Sequence, residues 1–183
     1  MESLELRIDT IPEAGRDIPF RFGAGVVNEA LAALGVGDAI IVSDLEGNAL
    51  VLRSGEEIFV TGRFKTVARL VCVRCLAGFE APIESEFHVV LSRETEDVAL
   101  GEHSEVELDA AALEIESLEG ETIHLDELVI EQLVLSIPPY PLCREGCAGI
   151  CPGCGADLNT EPCACETRPV DPRLAALTGW KPK

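Results

Sequence analysis

Aromatic side chains make up only 4% of this 183-residue chain, so its core must be built from Leu, Val, Ile and Ala rather than from rings. Positive charge is scarce as well. Fourteen Lys plus Arg stand against 33 Asp plus Glu, a formal net charge of -19. Such a surface repels phosphate, which excludes broad, sequence-independent nucleic-acid binding and favours basic partners. Nothing approaches the roughly 18 consecutive apolar residues of a membrane span. The start, Met1-Glu2-Ser3-Leu4-Glu5, lacks the positive region and apolar run of an export signal. The expected setting is therefore the cytoplasm, with no membrane partner and with cysteines kept as thiols or metal ligands. Catalytic signatures are missing too. There is no phosphate-cradling glycine loop, no Gly-x-Ser-x-Gly and no His-Glu-x-x-His. The expectation is a protein that is not an enzyme and takes no small-molecule substrate.

What is present is a hydrophobic content of 47%, enough for a folded core. Arg outnumbers Lys 11 to 3, a bias that GC-rich bacterial coding produces. Charge is unevenly placed: Glu94 to Glu131 holds fourteen acids and no base, whereas Thr61 to Cys75 holds Arg63, Lys65, Arg69 and Arg74 and no acid.

The first half alternates as strands do. Leu4, Leu6 and Ile8 mark one strand, Ile18 to Phe22 a second, and Val26 to Leu34 a short helix or a loop with Val26, Ala30 and Leu34 on one face. Ile40 to Val42, Ala49 to Leu52 and Ile58 to Gly62 predict strands divided by turns at Gly47-Asn48 and Ser54-Gly55. In the next strand Phe64, Thr66, Ala68, Leu70 and Cys72 share one face, which turns Arg63, Lys65 and Arg69 outward. That basic strip suits contact with RNA or a partner, or cross-strand pairing with acids such as Glu84 and Glu86. Ile83 to Leu91 returns as a hairpin, and Leu113 to Glu116 predicts an edge strand. The main helix opens near Asp126, shows Leu125, Leu128, Val129, Gln132, Leu133 and Ser136 on one face, and stops at Pro138-Pro139. The acidic stretch Glu94 to Glu107 predicts a loop, and Asp171 to Leu177 a short closing helix. The fold class is α+β: a β-rich antiparallel domain over 1–137 with one main helix, then a cysteine-rich zinc-binding module over 138–183 with the short helix packed on it.

No cysteine precedes Cys72, and six of the eight fall between Cys143 and Cys165. Cys151-Pro152-Gly153-Cys154 brings two sulfurs onto one tight turn, and Cys163-Ala164-Cys165 supplies two more; four thiolates suit tetrahedral zinc. Cys72-Val73-Arg74-Cys75 repeats the spacing. The simplest division pairs Cys72 and Cys75 with Cys143 and Cys147 as a second site that would clamp the module to the sheet. A single site with spare thiols is the other arrangement, so one zinc or two are expected. A redox pair would need C-x2-C opening a helix, and Cys75 is followed by a turn instead. The histidines His88, His103 and His124 lie far in sequence from the cysteines and predict surface or strand residues.

The basic strand entering Cys72-Val73-Arg74-Cys75-Leu76, the helix Leu125 to Leu133 running on to Ile137-Pro138-Pro139-Tyr140-Pro141-Leu142-Cys143, and the segment Cys147 to Asn159 with Cys163-Ala164-Cys165 together resemble the YceD family, the large ribosomal RNA subunit accumulation proteins. Asp171-Pro172-Arg173-Leu174 fits as well, so the resemblance covers roughly Arg63 to Leu177. It implies a non-catalytic role in ribosome biogenesis, supporting synthesis, processing or accumulation of 23S rRNA. An acidic adaptor with structural zinc would then meet an rRNA precursor, a basic ribosomal protein or a processing factor. The alternatives are a thiol oxidoreductase or metal-dependent nuclease, and a zinc-ribbon-like interaction module for transcription.

Overall fold

The computed structural model describes residues 4–92, 115–118, 120–165 and 173. The expected loop Glu94 to Glu107, His103 and the closing helix, Arg173 apart, lie outside the described residues. Strands dominate because alternating apolar residues can bury one face each. In order they are β1 (Glu5–Arg7), β2 (Arg16–Phe22), β3 (Ala39–Ile41), β4 (Leu45–Ser54), β5 (Glu57–Val71), β6 (Gly78–Ser92), β7 (Ile115–Ser117) and β8 (Thr122–His124). Two helices, α1 (Ala24–Ala33) and α2 (Leu125–Ser136), complete the α+β architecture, and neither is long and apolar enough to cross a membrane.

The main sheet runs β2-β4-β5-β6-β7, and β3 also pairs with β5. The 15-residue β5 serves two neighbours along its length: β4 pairs antiparallel with Glu57 to Lys65, and β3 with Ala68 to Leu70. β7 lies parallel to β6 at the sheet edge, where the sequence predicts an edge strand. β1 and β8 form a separate antiparallel pair, with Leu6 opposite Ile123.

Three expectations need correction. Gly47-Asn48 is no turn but the middle of β4, with Gly47 opposite both Phe20 and Phe64. A side chain at Gly47 would run into the Arg63 carbonyl and the Phe20 ring, so glycine marks a close strand approach there. The segments predicted as two strands, Ile58 to Gly62 and Phe64 to Cys72, form one, β5, which ends at Val71, while the turn predicted at Ser54-Gly55 is present, with Gly55 at φ +63°. Helix α1 buries Val27 and Leu31, one position along from the predicted face, and leaves Leu34 57% exposed.

The chain divides into two compact units, Met1–Leu70 with Phe79–Pro139 and Val71–Gly78 with Tyr140–Lys183. The first holds the aliphatic core: Leu31, Ile41, Leu45, Val51, Ile58, Val60, Leu70, Leu125, Val129 and Leu133 are nearly or fully buried. Helix α2 begins one residue before Asp126, and the acid is buried in its first turn. Its Oδ1 has no hydrogen-bond partner among the described residues, and its place in the first turn sets the side chain at the positive end of the helix dipole. Leu133→Ala should lower unfolding stability by about 3 kcal/mol through the cavity left, whereas Leu135→Ala, at a 77% exposed site, should change it by less than about 0.5 kcal/mol. Chemical denaturation of the two variants checks the contrast.

Candidate metal centres

Both cysteine clusters lie within the second unit. Cys72, Cys75, Cys143 and Cys147 bring their sulfurs within 4.8 Å of one another, and so do Cys151, Cys154, Cys163 and Cys165. Individual Sγ–Sγ separations are 3.8 Å for Cys72–Cys147, 3.6 Å for Cys75–Cys143, 3.5 Å for Cys154–Cys163 and 3.2 Å for Cys151–Cys163. A tetrahedral ion with metal–sulfur bonds of about 2.3 Å requires sulfurs about 3.8 Å apart. A disulfide requires about 2.05 Å. None of the eight is disulfide-bonded. The donor set therefore fits two four-coordinate ions that favour sulfur.

Each cluster is built on the same turn. After Cys72, the Leu76 N–H donates to the Cys72 carbonyl at 2.9 Å and the Cys72 N–H to the Ala77 carbonyl at 3.0 Å. After Cys151, the Gly155 N–H donates to the Cys151 carbonyl at 2.9 Å and the Cys151 N–H to the Ala156 carbonyl at 2.8 Å. Such a turn needs a left-handed residue after the second cysteine. Gly155 supplies it at φ +76°, Leu76 at φ 58°. This geometry is unlike a redox pair, whose first cysteine caps a helix.

The sulfurs are electrically unequal. Amide donation from Cys143 and Cys75 lowers the Cys72 thiol to about 6. The Cys154 amide, then the Cys163 thiol and the Gly153 amide, lower Cys151 to about 6. Burial pushes Cys143 up to about 12, and the crowding thiols of Cys163, Cys154 and Cys151 push Cys165 up to about 12. Four anionic sulfurs this close repel one another, and a cation at the centre removes the conflict.

Segments carrying the clusters are tied side by side. Val73 N–H donates to the Pro141 carbonyl, Ile150 N–H to the Arg74 carbonyl, and Leu158 N–H to the Gly149 carbonyl, at 2.9 to 3.1 Å. Asp157 and Asn159, which sequence reasoning did not single out as site residues, organise the loop between Cys154 and Cys163. Asp157 accepts the Asn159 N–H at 2.9 Å, and that bond with the Asn159 side-chain amide holds its carboxyl below the usual range. Asn159 Nδ2 lies 3.5 Å from Cys147 Sγ. Only the run Asp157-Leu158-Asn159 itself, a turn-forming Asx pair, signalled them.

The predicted basic strip is divided. Arg63, Lys65 and Arg69 project from the exposed face of β5 in the first unit. Lys65 Nζ lies 3.1 Å from Glu46 Oε1, Arg69 Nη2 2.9 Å from Glu80 Oε1, and Arg63 Nε donates to Asn48 Oδ1 at 3.2 Å. Cross-strand pairing is thus real, with Glu46 and Glu80 rather than Glu84 and Glu86. The latter two instead share a groove of about 480 Å³ with Arg63 and Lys65. Arg74 belongs to the second unit, where its Nη1 donates to the Cys147 carbonyl at 3.0 Å. His88 Nδ1 sits 3.2 Å from Thr61 Oγ1, and His124 Nδ1 4.0 Å from Glu5 Oε1; neither joins a cluster.

An α+β protein with two four-cysteine clusters in one unit is the class that fold and site define. Residues 60–181 match the family described as Large ribosomal RNA subunit accumulation protein YceD, and the chain belongs to that family. It is 32% identical over 124 residues to uncharacterized proteins of Mycobacterium bovis and Mycobacterium tuberculosis, covering 67% of this chain and 55% of theirs. An uncharacterized protein of Mycobacterium leprae is 27% identical over 123 residues, covering 67% and 52%. The chain thus spans about half the length of the curated relatives it matches. No solved structure matches.

Metal retention should depend on pH with a definite sign. Cys72 and Cys151 are depressed from the ordinary value of 9.0 to about 6, so their thiolates favour the folded arrangement, fully above pH 9 and progressively less as pH falls through 6. A metal-loaded sample titrated downward in pH should release its ions as protons displace them from the thiolates, detected with a metallochromic dye. Release should come at a pH below the metal-free value of about 6, because the bound ion itself favours the thiolate. An ion content that did not fall with acidification would contradict this account.

Proposed function

We propose that the protein is a non-catalytic ribosome-biogenesis factor of the cytoplasm, supporting synthesis, processing or accumulation of 23S rRNA, with two structural zinc ions shaping a docking module. The observation that carries the metal half is the composition of the second unit's interior. Among its described residues the buried ones are Cys72, Cys147, Gly149 and Cys151. None of these described residues buries an aliphatic side chain, which favours metal–thiolate bonds as the source of their ordering. Zinc suits a closed all-sulfur set with no open position for substrate. The ligands are Cys151, Cys154, Cys163 and Cys165 at one ion, and Cys72, Cys75, Cys143 and Cys147 at the other.

Family membership carries the ribosomal half. Within it, net charge selects an adaptor: at -19 the surface attracts a basic ribosomal protein or processing factor. Local contact with the rRNA precursor falls to Arg63, Lys65 and Arg69. Their pairs with Glu46 and Glu80 are solvent-exposed and worth only about 0–1 kcal/mol each, so a phosphate can displace the acids. Arg74 is held by Cys147 and contributes chiefly to the module.

Two measurements test the reading. Native mass spectrometry should count two zinc ions, and chelation should abolish hydrogen-exchange protection over 143–165 while sparing Leu125 to Ser136. A metal-free chain with unchanged protection would sink the metal half. Binding to pre-23S fragments across a salt series should weaken by roughly tenfold in the triple variant Arg63→Ala, Lys65→Ala, Arg69→Ala, with a salt slope lower by about two to three. An unchanged slope removes RNA contact and leaves the basic-protein adaptor, which co-purification with ribosomal proteins would report.

A further inference from the structure

We propose that Asn159 couples the two cysteine clusters, so that metal at Cys151, Cys154, Cys163 and Cys165 raises the affinity of Cys72, Cys75, Cys143 and Cys147 for its ion. This rests on the metal reading above.

Asn159 occupies the loop between Cys154 and Cys163, which the second cluster closes, yet its side chain serves the first. Nδ2 donates to Cys147 Sγ at 3.5 Å and to Asp157 Oδ1 at 2.6 Å. Oδ1 accepts from the Ala148 amide at 2.8 Å and from Arg144 Nη2 at 2.6 Å. Both donor and both acceptor sites of the amide are used. Its orientation is fixed by chemistry, because the Ala148 amide can only donate and the Asp157 carboxylate can only accept. Residues 144 and 148 flank the Cys147 ligand. One side chain therefore holds the segment between Cys143 and Cys147 and donates to a ligand sulfur.

What keeps Asn159 in place comes from the second cluster's side. Asp157 O accepts the Thr160 and Glu161 amides at 3.1 and 3.0 Å, and Leu158 N–H reaches the Gly149 carbonyl at 2.9 Å. Beyond Glu161 the chain is anchored by Cys163 and Cys165, and Cys154 and Cys165 are exposed, so burial does not fix that end. An ion there closes the loop and removes conformational freedom that would otherwise be lost when Asn159 docks on the first cluster. Once the loop is ordered, the N–H···S contact draws charge from Cys147, which steadies a four-thiolate centre carrying two net negative charges. By linkage the effect is mutual: the first ion raises affinity at the second cluster by the same factor.

The test is zinc titration of the full chain, read by competition with a chelating dye and by native mass spectrometry. Removing the second cluster with Cys163→Ser and Cys165→Ser should weaken zinc binding at the first by about tenfold or more, the scale of second-shell effects on metal affinity. Asn159→Ala should weaken the first cluster comparably. In the Asn159→Ala background, deleting the second cluster should cost less than about twofold further. Cobalt(II) bound at the first cluster should show a shifted thiolate-to-metal charge-transfer band in Asn159→Ala, a local signature that loosening elsewhere does not produce. Equal first-cluster affinity with and without the second overturns coupling and leaves two independent zinc sites. Coupling that survives Asn159→Ala overturns the assignment to this residue. A wild-type chain that takes up no zinc removes the metal reading together with the proposal.

Discussion

Sulfur takes the place of hydrocarbon in the second unit, and the rest of its structure depends on that exchange. Among its described residues Val71, Val73, Leu76 and Tyr140 are turned to solvent, 48–79% exposed. Cys72, Cys147 and Cys151 are buried instead. Apolar burial among these described residues is slight, and the backbone bonds linking Val73, Ile150 and Leu158 to their neighbours do not offset the entropy of ordering them. Under the proposed metal reading, bonds from eight thiolates to two ions would do so, joining segments far apart in sequence. The first unit has no such need, since its core of Leu, Ile and Val follows the ordinary rule of burial by alternation.

Metal loading also changes the electrostatics. Four thiolates around a divalent cation carry two net negative charges, so filling both clusters makes an already acidic chain more so. Arg74 and Arg144 lie in the module and both are engaged, one with the Cys147 carbonyl and the other with Asn159. On the outer face of β5, Glu46 and Glu80 already compete for the charge of Lys65 and Arg69. On charge alone, an acidic surface favours basic proteins over nucleic acid.

Much of this was legible in the sequence because period-2 alternation and C-x2-C spacing are local signals. The outward face of β5, the β7 edge strand and the start of α2 follow from such patterns. Gly47-Asn48 misled because the dipeptide is a strong turn signal, and only the approach of Phe20 and Arg63 from neighbouring strands explains glycine inside a strand. Asp126 fitted the helix dipole but gave no hint that it would be buried, which depends on what packs over the first turn. The division of the eight sulfurs into two sets depends on contacts between residues nearly seventy positions apart, such as Cys75 and Cys143, which spacing alone leaves open. Arg74 belonged to the basic strip by proximity in sequence, yet it sits past the end of β5, where its carbonyl and guanidinium both serve the module.

The two cysteine turns share one geometry on unlike sequences. They make the same pair of backbone hydrogen bonds, although one is followed by Gly155 and the other by Leu76. A left-handed leucine costs about 1–2 kcal/mol relative to its ordinary conformations, and at 62% exposure Leu76 recovers little of that by packing. Local preference therefore opposes the first turn and favours the second, while their geometry is the same. What the two share is a requirement that both sulfurs and their donor amides face one point. The turn is shaped by the sulfurs it must bring together, and the sequence around Cys72 yields to that demand.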